Sequence, residues 1–212
     1  MNFEPEPLAT RWIPYGGQSP IIPIFKQYHP LNQQIEDVIN VQTFPVHFGR
    51  NKHIASPIRT NRYIFLILQG VAHGFIKVGA KKITTWIAVE GELAGTINNL
   101  WHGGQSEEYI ETIEPLLAVA IPHEMSIFLY ENHPEANLVG RQMTELYYQG
   151  ASERAFIARL PNAKLRYERF LISYGHLLER VPLKYIASFL GMRLETLSRI
   201  RSEMASKLSN KA

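Results

Sequence analysis

The feature that most limits the fold is a change in the spacing of apolar residues at about Pro134. Between Val41 and Tyr130 they come in short runs rich in Ile, Val, Phe and Thr: TFPVHF, YIFLILQG, VAHGFIKVG, KKITTWIAVEG, EEYIETIEP and LLAVAIP. Runs of this length, separated by turn residues, read as strands of an antiparallel sandwich or barrel. Gly70 and Gly79 stand where tight turns reverse the chain, and KVGAKKI is a hairpin candidate. Beyond Pro134, Leu138, Val139, Met143, Leu146, Tyr147, Ala151, Ala155 and Phe156 follow at helical intervals up to Leu160. They spread wider than one stripe, as expected of a helix that touches both its own domain and a second copy of the chain; the alternative is an ordinary core helix. Gly140 and Gly150 lower its intrinsic helicity, so tertiary support is expected.

Pro161 can open a further helix, with Leu165, Phe170, Leu171, Tyr174, Leu177 and Leu178 at helical spacing. Two shorter helices follow at residues 182–190 and 194–206, separated by Gly191-Met192-Arg193. At the other end, prolines at 5, 7, 14, 20, 23 and 30 predict a mostly irregular arm over residues 1–30. Trp12, Ile13, Tyr15, Ile21, Ile22, Ile24 and Phe25 would pack that arm on the domain that follows, and a short helix is expected around Leu31–Ile39.

Charge divides the chain in the same sense. Residues 1–160 carry 12 Lys/Arg against 15 Asp/Glu, and residues 161–212 carry 10 against 4, so a net −3 precedes a net +6. A basic final segment behind an acidic front implies two domains with different partners, nucleic acid among them. With 212 residues, 45% of them hydrophobic, two cores are within reach without a metal or a disulfide. Cysteine is absent, which removes disulfides, thiolate nucleophiles and cysteine-held zinc or iron–sulfur clusters. No apolar run approaches the roughly 20 residues of a membrane span. MNFEPEPLATRW lacks the basic start and apolar stretch of a secretory signal, so the cytoplasm is the expected location.

The segment PLKYIASFLGMRLETLSRIRSEM carries the most specific pattern. Ala187 is small where two helices must cross closely. Gly191, four positions later, supplies the left-handed backbone of a sharp turn. Leu197, with Ile186, Leu190 and Ile200, makes a small core. This is the spacing of a helix-turn-helix, whose second helix enters the major groove of DNA. Arg199 can donate to guanine O6 and N7, and Glu195 can accept from a cytosine amino group. Thr196, Ser198, Lys184, Arg193 and Arg201 are candidates for phosphate and positioning contacts.

With these residues in view, the chain resembles the cyclic-AMP receptor protein/fumarate-nitrate regulator (CRP/FNR) family over about residues 31–206. The order of elements matches, and ETLSRIR, Glu195 to Arg201, looks like the start of that family's recognition helix. LQG at 68–70, Gly79 and GELAG at 91–95 look like its β-roll turns. The resemblance implies an α+β fold: an arm over 1–30, an antiparallel β-roll sensor domain over 31–134, a dimerisation helix over 135–160 and a helix-turn-helix domain over 161–212. It also implies a transcription regulator rather than an enzyme, whose partners are double-stranded DNA, a second copy of the chain and RNA polymerase. In members that bind a cyclic nucleotide, a glutamate of a GE motif holds the ribose and a downstream arginine holds the phosphate. Gly91 and Glu92 match the first. The arginine position falls near Ser106, beside Glu107 and Glu108, whose carboxylates repel a phosphate. The expected effector is therefore something other than cyclic AMP, or there is none, and no cofactor is assigned. Leu194 stands where relatives often carry arginine, and the tail SEMASKLSNKA reads as helix rather than a full β-hairpin wing.

Two rivals remain in other classes. A cupin-like metal enzyme would need closely spaced histidines, whereas His47, His53, His73, His102 and His123 are scattered. A ligand-binding adaptor would use the helix pair for packing alone. Trp86, Trp101, His102, Phe75 and Tyr109 are candidates for lining an effector pocket, with core packing as the alternative role.

Overall fold

The computed structural model describes residues 6–58, 61–96 and 106–209. The chain divides into two compact units, one of residues 1–74 and 87–147 and one of residues 75–86 and 148–212. Among the described residues, eight strands form two sheets: β1 (Phe44–Phe48), β2 (His53–Ala55), β3 (Tyr63–Gln69), β4 (Ala72–Val78), β5 (Lys81–Ala88), β6 (Leu93–Ala94), β7 (Tyr109–Thr112) and β8 (Leu116–Pro122). The strand orders are β1-β8-β3-β6 and β2-β7-β4-β5. All six sequence-predicted runs contain a strand; β2 and β6 have only three and two residues, too short to leave a periodicity. The α+β class, with antiparallel sheets ahead of a helical C-terminal part, is as the sequence indicates.

Strand β8 lies between β1 and β3 and pairs antiparallel with both, Phe65 opposite Ala120 and Leu66 opposite Val119. Its residues Ala118, Val119, Ala120 and Ile121 are all buried, so neither face meets water. That explains why YIFLILQ and LLAVAIP run on in apolar residues instead of alternating. One face needs a cover, and helices supply it: α1 (Leu8–Arg11), α2 (Ile21–Lys26), α3 (Gln33–Gln42) and α4 (His123–Asn132). Trp12, Ile21, Ile22, Ile35, Ile39, Met125 and Leu129 form one core with Leu66, Val119 and Ile121 of the sheet.

The arm is therefore more ordered than its prolines imply. Pro7 and Pro20 sit at the N-caps of α1 and α2, Pro14 near the start of a 3-10 turn at Ile13–Tyr15, and Pro23 in the first turn of α2. At such positions no intrahelical N–H is lost, so proline starts helices there instead of breaking them. Polar contacts tie the arm to the end of α3. The buried Arg11 guanidinium donates to the carbonyls of Val41 and Thr43 at 2.9 Å each, and Trp12 Nε1 donates to Asn40 O at 2.9 Å. A cation on the free carbonyls of a helix C-terminus is favourable on both hydrogen-bonding and dipole grounds. The β texture also stops earlier than expected: residues 123–132 are helical α4, because Pro122 closes β8 and acts as N-cap.

After α4 come α5 (Pro134–Arg159), α6 (Ala163–Tyr174), α7 (Leu183–Phe189) and α8 (Leu194–Ser209). Helix α6 starts two residues past Pro161, where Asn162 Oδ1 accepts the Leu165 N–H at 2.9 Å as an N-cap.

Gly70 turns β3 into β4 with φ of 103°, and a Cβ there would lie 2.2 Å from Pro115 O. Both the conformation and the space demand glycine. Gly70→Ala is expected to destabilise the first unit by about 2–3 kcal/mol, read as a lowered denaturant midpoint by circular dichroism.

Candidate nucleic-acid interface

The second unit is organised around one close helix crossing. Ala187 on α7 and Leu197 on α8 are 2% and 0% exposed, with Ile186, Leu190 and Ile200 buried around them. The turn between the helices is short because Gly191 takes φ of 62° and Met192 N–H donates to Ala187 O at 3.0 Å. That pair of features closes a helix C-terminus in the left-handed manner glycine allows. Helix α6 supports the pair: Phe170, fully buried, meets Phe189 edge-on with ring centroids 5.8 Å apart, and Tyr174 meets the same ring at 5.5 Å. From the same helix, Arg169 donates two hydrogen bonds to Glu153 at 2.6 and 2.7 Å, and Ser173 Oγ adds a third at 2.6 Å. This clamp joins α6 to α5 and leaves no trace in the sequence pattern, since all three side chains read as ordinary surface residues.

With Leu197 and Ile200 turned inward, the opposite side of α8 is fixed by the roughly 100° step per residue. Glu195, Ser198, Arg199 and Ser202 share that side and are exposed, Arg199 at 73%. Arg199 Nε lies 3.9 Å from Glu203 Oε1, one turn on, a contact too long and wet to hold it. Thr196 and Arg201 are half-buried at the two edges of the packed stripe and do not join the exposed group. Arg193 is exposed at the end of the turn, its carbonyl accepting the Leu197 N–H at 3.2 Å. Lys184, exposed on α7, rests its ammonium 4.8 Å from the Tyr185 ring centroid. A carboxylate, hydroxyls and a guanidinium thus stand clear of the core near the start of one helix, a donor and acceptor set that matches base edges.

Three structural neighbours share this arrangement of elements. FixK2 from Bradyrhizobium japonicum superposes with a TM-score of 0.66 at 16% identity, over 78% of this chain and 85% of that one. A protein from Eubacterium rectale assigned to the CRP/FNR family of transcriptional regulators gives 0.67 at 14% identity, over 85% and 88%. A protein from Listeria monocytogenes containing a cyclic nucleotide-binding domain gives 0.65 at 12% identity, over 88% and 89%. No family model and no curated protein matches the sequence. The chain has the CRP/FNR fold.

Within that fold, the positions considered for an effector lie as follows. Gly91, with φ of 82°, makes the turn after β5, and Glu92 is exposed beside it. The Glu92 carboxylate accepts the Val89 N–H at 3.0 Å, a local bond that closes its own turn. Ser106 is 2% exposed and its Oγ accepts the Glu108 N–H at 3.0 Å. Both side chains are thus engaged within their own loops. Of the pocket candidates, Phe75 is fully buried with the Lys82 ammonium 4.6 Å from its ring centroid, Trp86 and Tyr109 are half-buried, and Trp101 and His102 lie outside the described residues. In the β-roll, His53 and His73 flank Glu111 at 3.2 and 3.7 Å. Among the described residues no group of three or more His, Asp or Glu is arranged to hold a metal ion, and no helix is long and apolar enough to cross a membrane.

The Glu153 clamp has a pH signature. Arg169's hydrogen bonds, opposed by partial burial and aided by the Ser173 hydroxyl, hold the Glu153 carboxyl below its usual range. A depressed folded-state value adds stability that is complete above the usual carboxylate range and is lost as pH falls through the folded value. Thermal unfolding of the wild type should lose more stability on acidification below that range than Glu153→Gln does, and superimposable pH profiles would show the clamp to be inert.

Proposed function

We propose that this protein is a sequence-specific, DNA-binding transcription regulator of the CRP/FNR type that acts as a homodimer. The observation that carries the reading is the pairing of Ala187 and Leu197, buried at a tight helix crossing, with Glu195, Ser198 and Arg199 exposed on the far side of the same second helix. The net charge of +6 over residues 161–212 supports a polyanionic partner. The description of the Eubacterium rectale neighbour as a transcriptional regulator supports regulation of transcription as the setting. In the proposed complex α8 lies in the major groove. Arg199 reads guanine, Glu195 reads cytosine, and Ser198, Thr196, Arg193, Lys184 and Arg201 position the unit on phosphates.

The homodimer is built on α5, where Leu146, Tyr148 and Phe156 are 48%, 75% and 61% exposed. Large apolar side chains left exposed on one long helix are what a helix–helix interface looks like in a single chain. Two copies would set their recognition helices about 34 Å apart, one turn of DNA, and so select a pseudo-palindrome. RNA polymerase is the further partner that a regulator of this kind engages. Any effector would act by biasing the poses open to the two helix pairs, through α5 and the joint at Leu160-Pro161.

Cyclic AMP is not that effector in this reading, since Glu107 and Glu108 flank Ser106, near which a phosphate would need a cation. Titration calorimetry should detect no cyclic AMP binding at micromolar affinity; a micromolar or tighter isotherm would refute this part. For the DNA assignment, operators selected from a random duplex pool should be bound more weakly by Arg199→Ala by about 1–3 kcal/mol, with the dimer intact by light scattering. Full discrimination by that variant would remove Arg199 from base reading.

A further inference from the structure

The outer part of the β4–β5 hairpin belongs to the same compact unit as the helix-turn-helix, since residues 75–86 group with residues 148–212. Ser188 of α7 makes the junction. Its Oγ accepts the Thr84 N–H at 2.9 Å and donates to Lys82 O at 3.3 Å. One hydroxyl using both its donor and an acceptor lone pair on the same strand fixes that strand along and across the helix. Thr84 is 5% exposed at this contact.

Past the junction the strands reach a two-residue turn, Gly79-Ala80, with φ of 60° at Gly79 and no positive φ at Ala80. That sign pattern fits a type II′ turn, which sets Val78 opposite Lys81 and Lys77 opposite Lys82. All three lysines are exposed, with the Lys82 ammonium at the edge of the turn 4.6 Å from the Phe75 ring centroid. Three ammonium groups around one turn make a local positive potential that favours an anionic surface. The first helix of a helix-turn-helix crosses the DNA backbone while the second enters the groove. A strand docked on α7 is thereby carried toward phosphates and not toward base edges. Helix α8 also continues through Ser209, so the residues directly after Arg199 form no strand pair that would reach those phosphates instead.

We propose that the β4–β5 hairpin tip is a second DNA-contacting element: docked on α7 through Ser188, it sets Lys77, Lys81 and Lys82 against backbone phosphates beside the groove that receives α8. The inference rests on the DNA-binding reading above and adds a contact from outside the helical segment. Ammonium groups on phosphates add affinity and salt dependence without adding sequence information.

The test is fluorescence anisotropy of the full chain on a selected operator and on a scrambled duplex, over a series of salt concentrations. The variant K77Q/K81Q/K82Q should bind both duplexes more weakly by a similar factor. Its plot of log affinity against log salt should be shallower by about 0.9 for each phosphate that is no longer neutralised, and its operator preference unchanged. Ser188→Ala should shift the slope in the same direction, because the hairpin loses its anchor. An unchanged slope in the lysine variant overturns the proposal, and so does tighter binding, which would make the hairpin a restraint on the helix pair. A lysine effect with no Ser188 effect overturns the anchoring role. If the wild type shows no salt-sensitive duplex binding, the DNA-binding reading itself fails, and the two failures are thus distinct.

Discussion

The constraint on which the first unit depends is that β8, paired with β1 and β3, is buried on both faces. A sheet with one solvated face can end there, but a ladder of Leu66, Val119 and Ile121 needs a second apolar layer. The arm, α3 and α4 provide that layer, and this need explains why a proline-rich segment is folded at all. Arg11 and Trp12 satisfy the carbonyls at the end of α3 that burial would otherwise leave unpaired. Apolar area drives the arm onto the sheet, and polar contacts decide where it lands.

The second unit relies on just three small requirements. Ala187 lets two helices approach, Gly191 lets the chain turn between them, and Leu197 fills the crossing. Once Leu197 and Ile200 are committed inward, the helical repeat alone assigns Glu195, Ser198 and Arg199 to solvent. The side chains proposed to read DNA are therefore exposed by what the core requires on the other side of the helix. The Phe170–Phe189–Tyr174 cluster and the Glu153–Arg169–Ser173 clamp then hold the pair on α5 and α6.

Legibility in the sequence follows the range of the interaction. Helix spacing from Leu138 to Phe156, the β runs and the Ala187-Gly191-Leu197 triplet are local patterns, and the elements they indicate are present. The arm misleads because proline's effect depends on its place within a turn of helix, and position is not visible in composition. Residues 123–132 resemble an extension of the β texture because HEMSIFLY is apolar without a clean period. Thr196 and Arg201 stand close to Arg199 in the chain, yet the helical step puts them at the margins of the packed stripe.

By itself the sequence determined the class of architecture, the helix-turn-helix and the exposed side of its second helix, because each depends on residues within one or two turns of one another. Tertiary structure alone decided the packing of the arm on β8 and the seating of the β4–β5 hairpin on Ser188. The last of these joins residues 104 positions apart. No periodicity encodes such a pair; it forms only when burial elsewhere has brought the two segments within hydrogen-bonding distance.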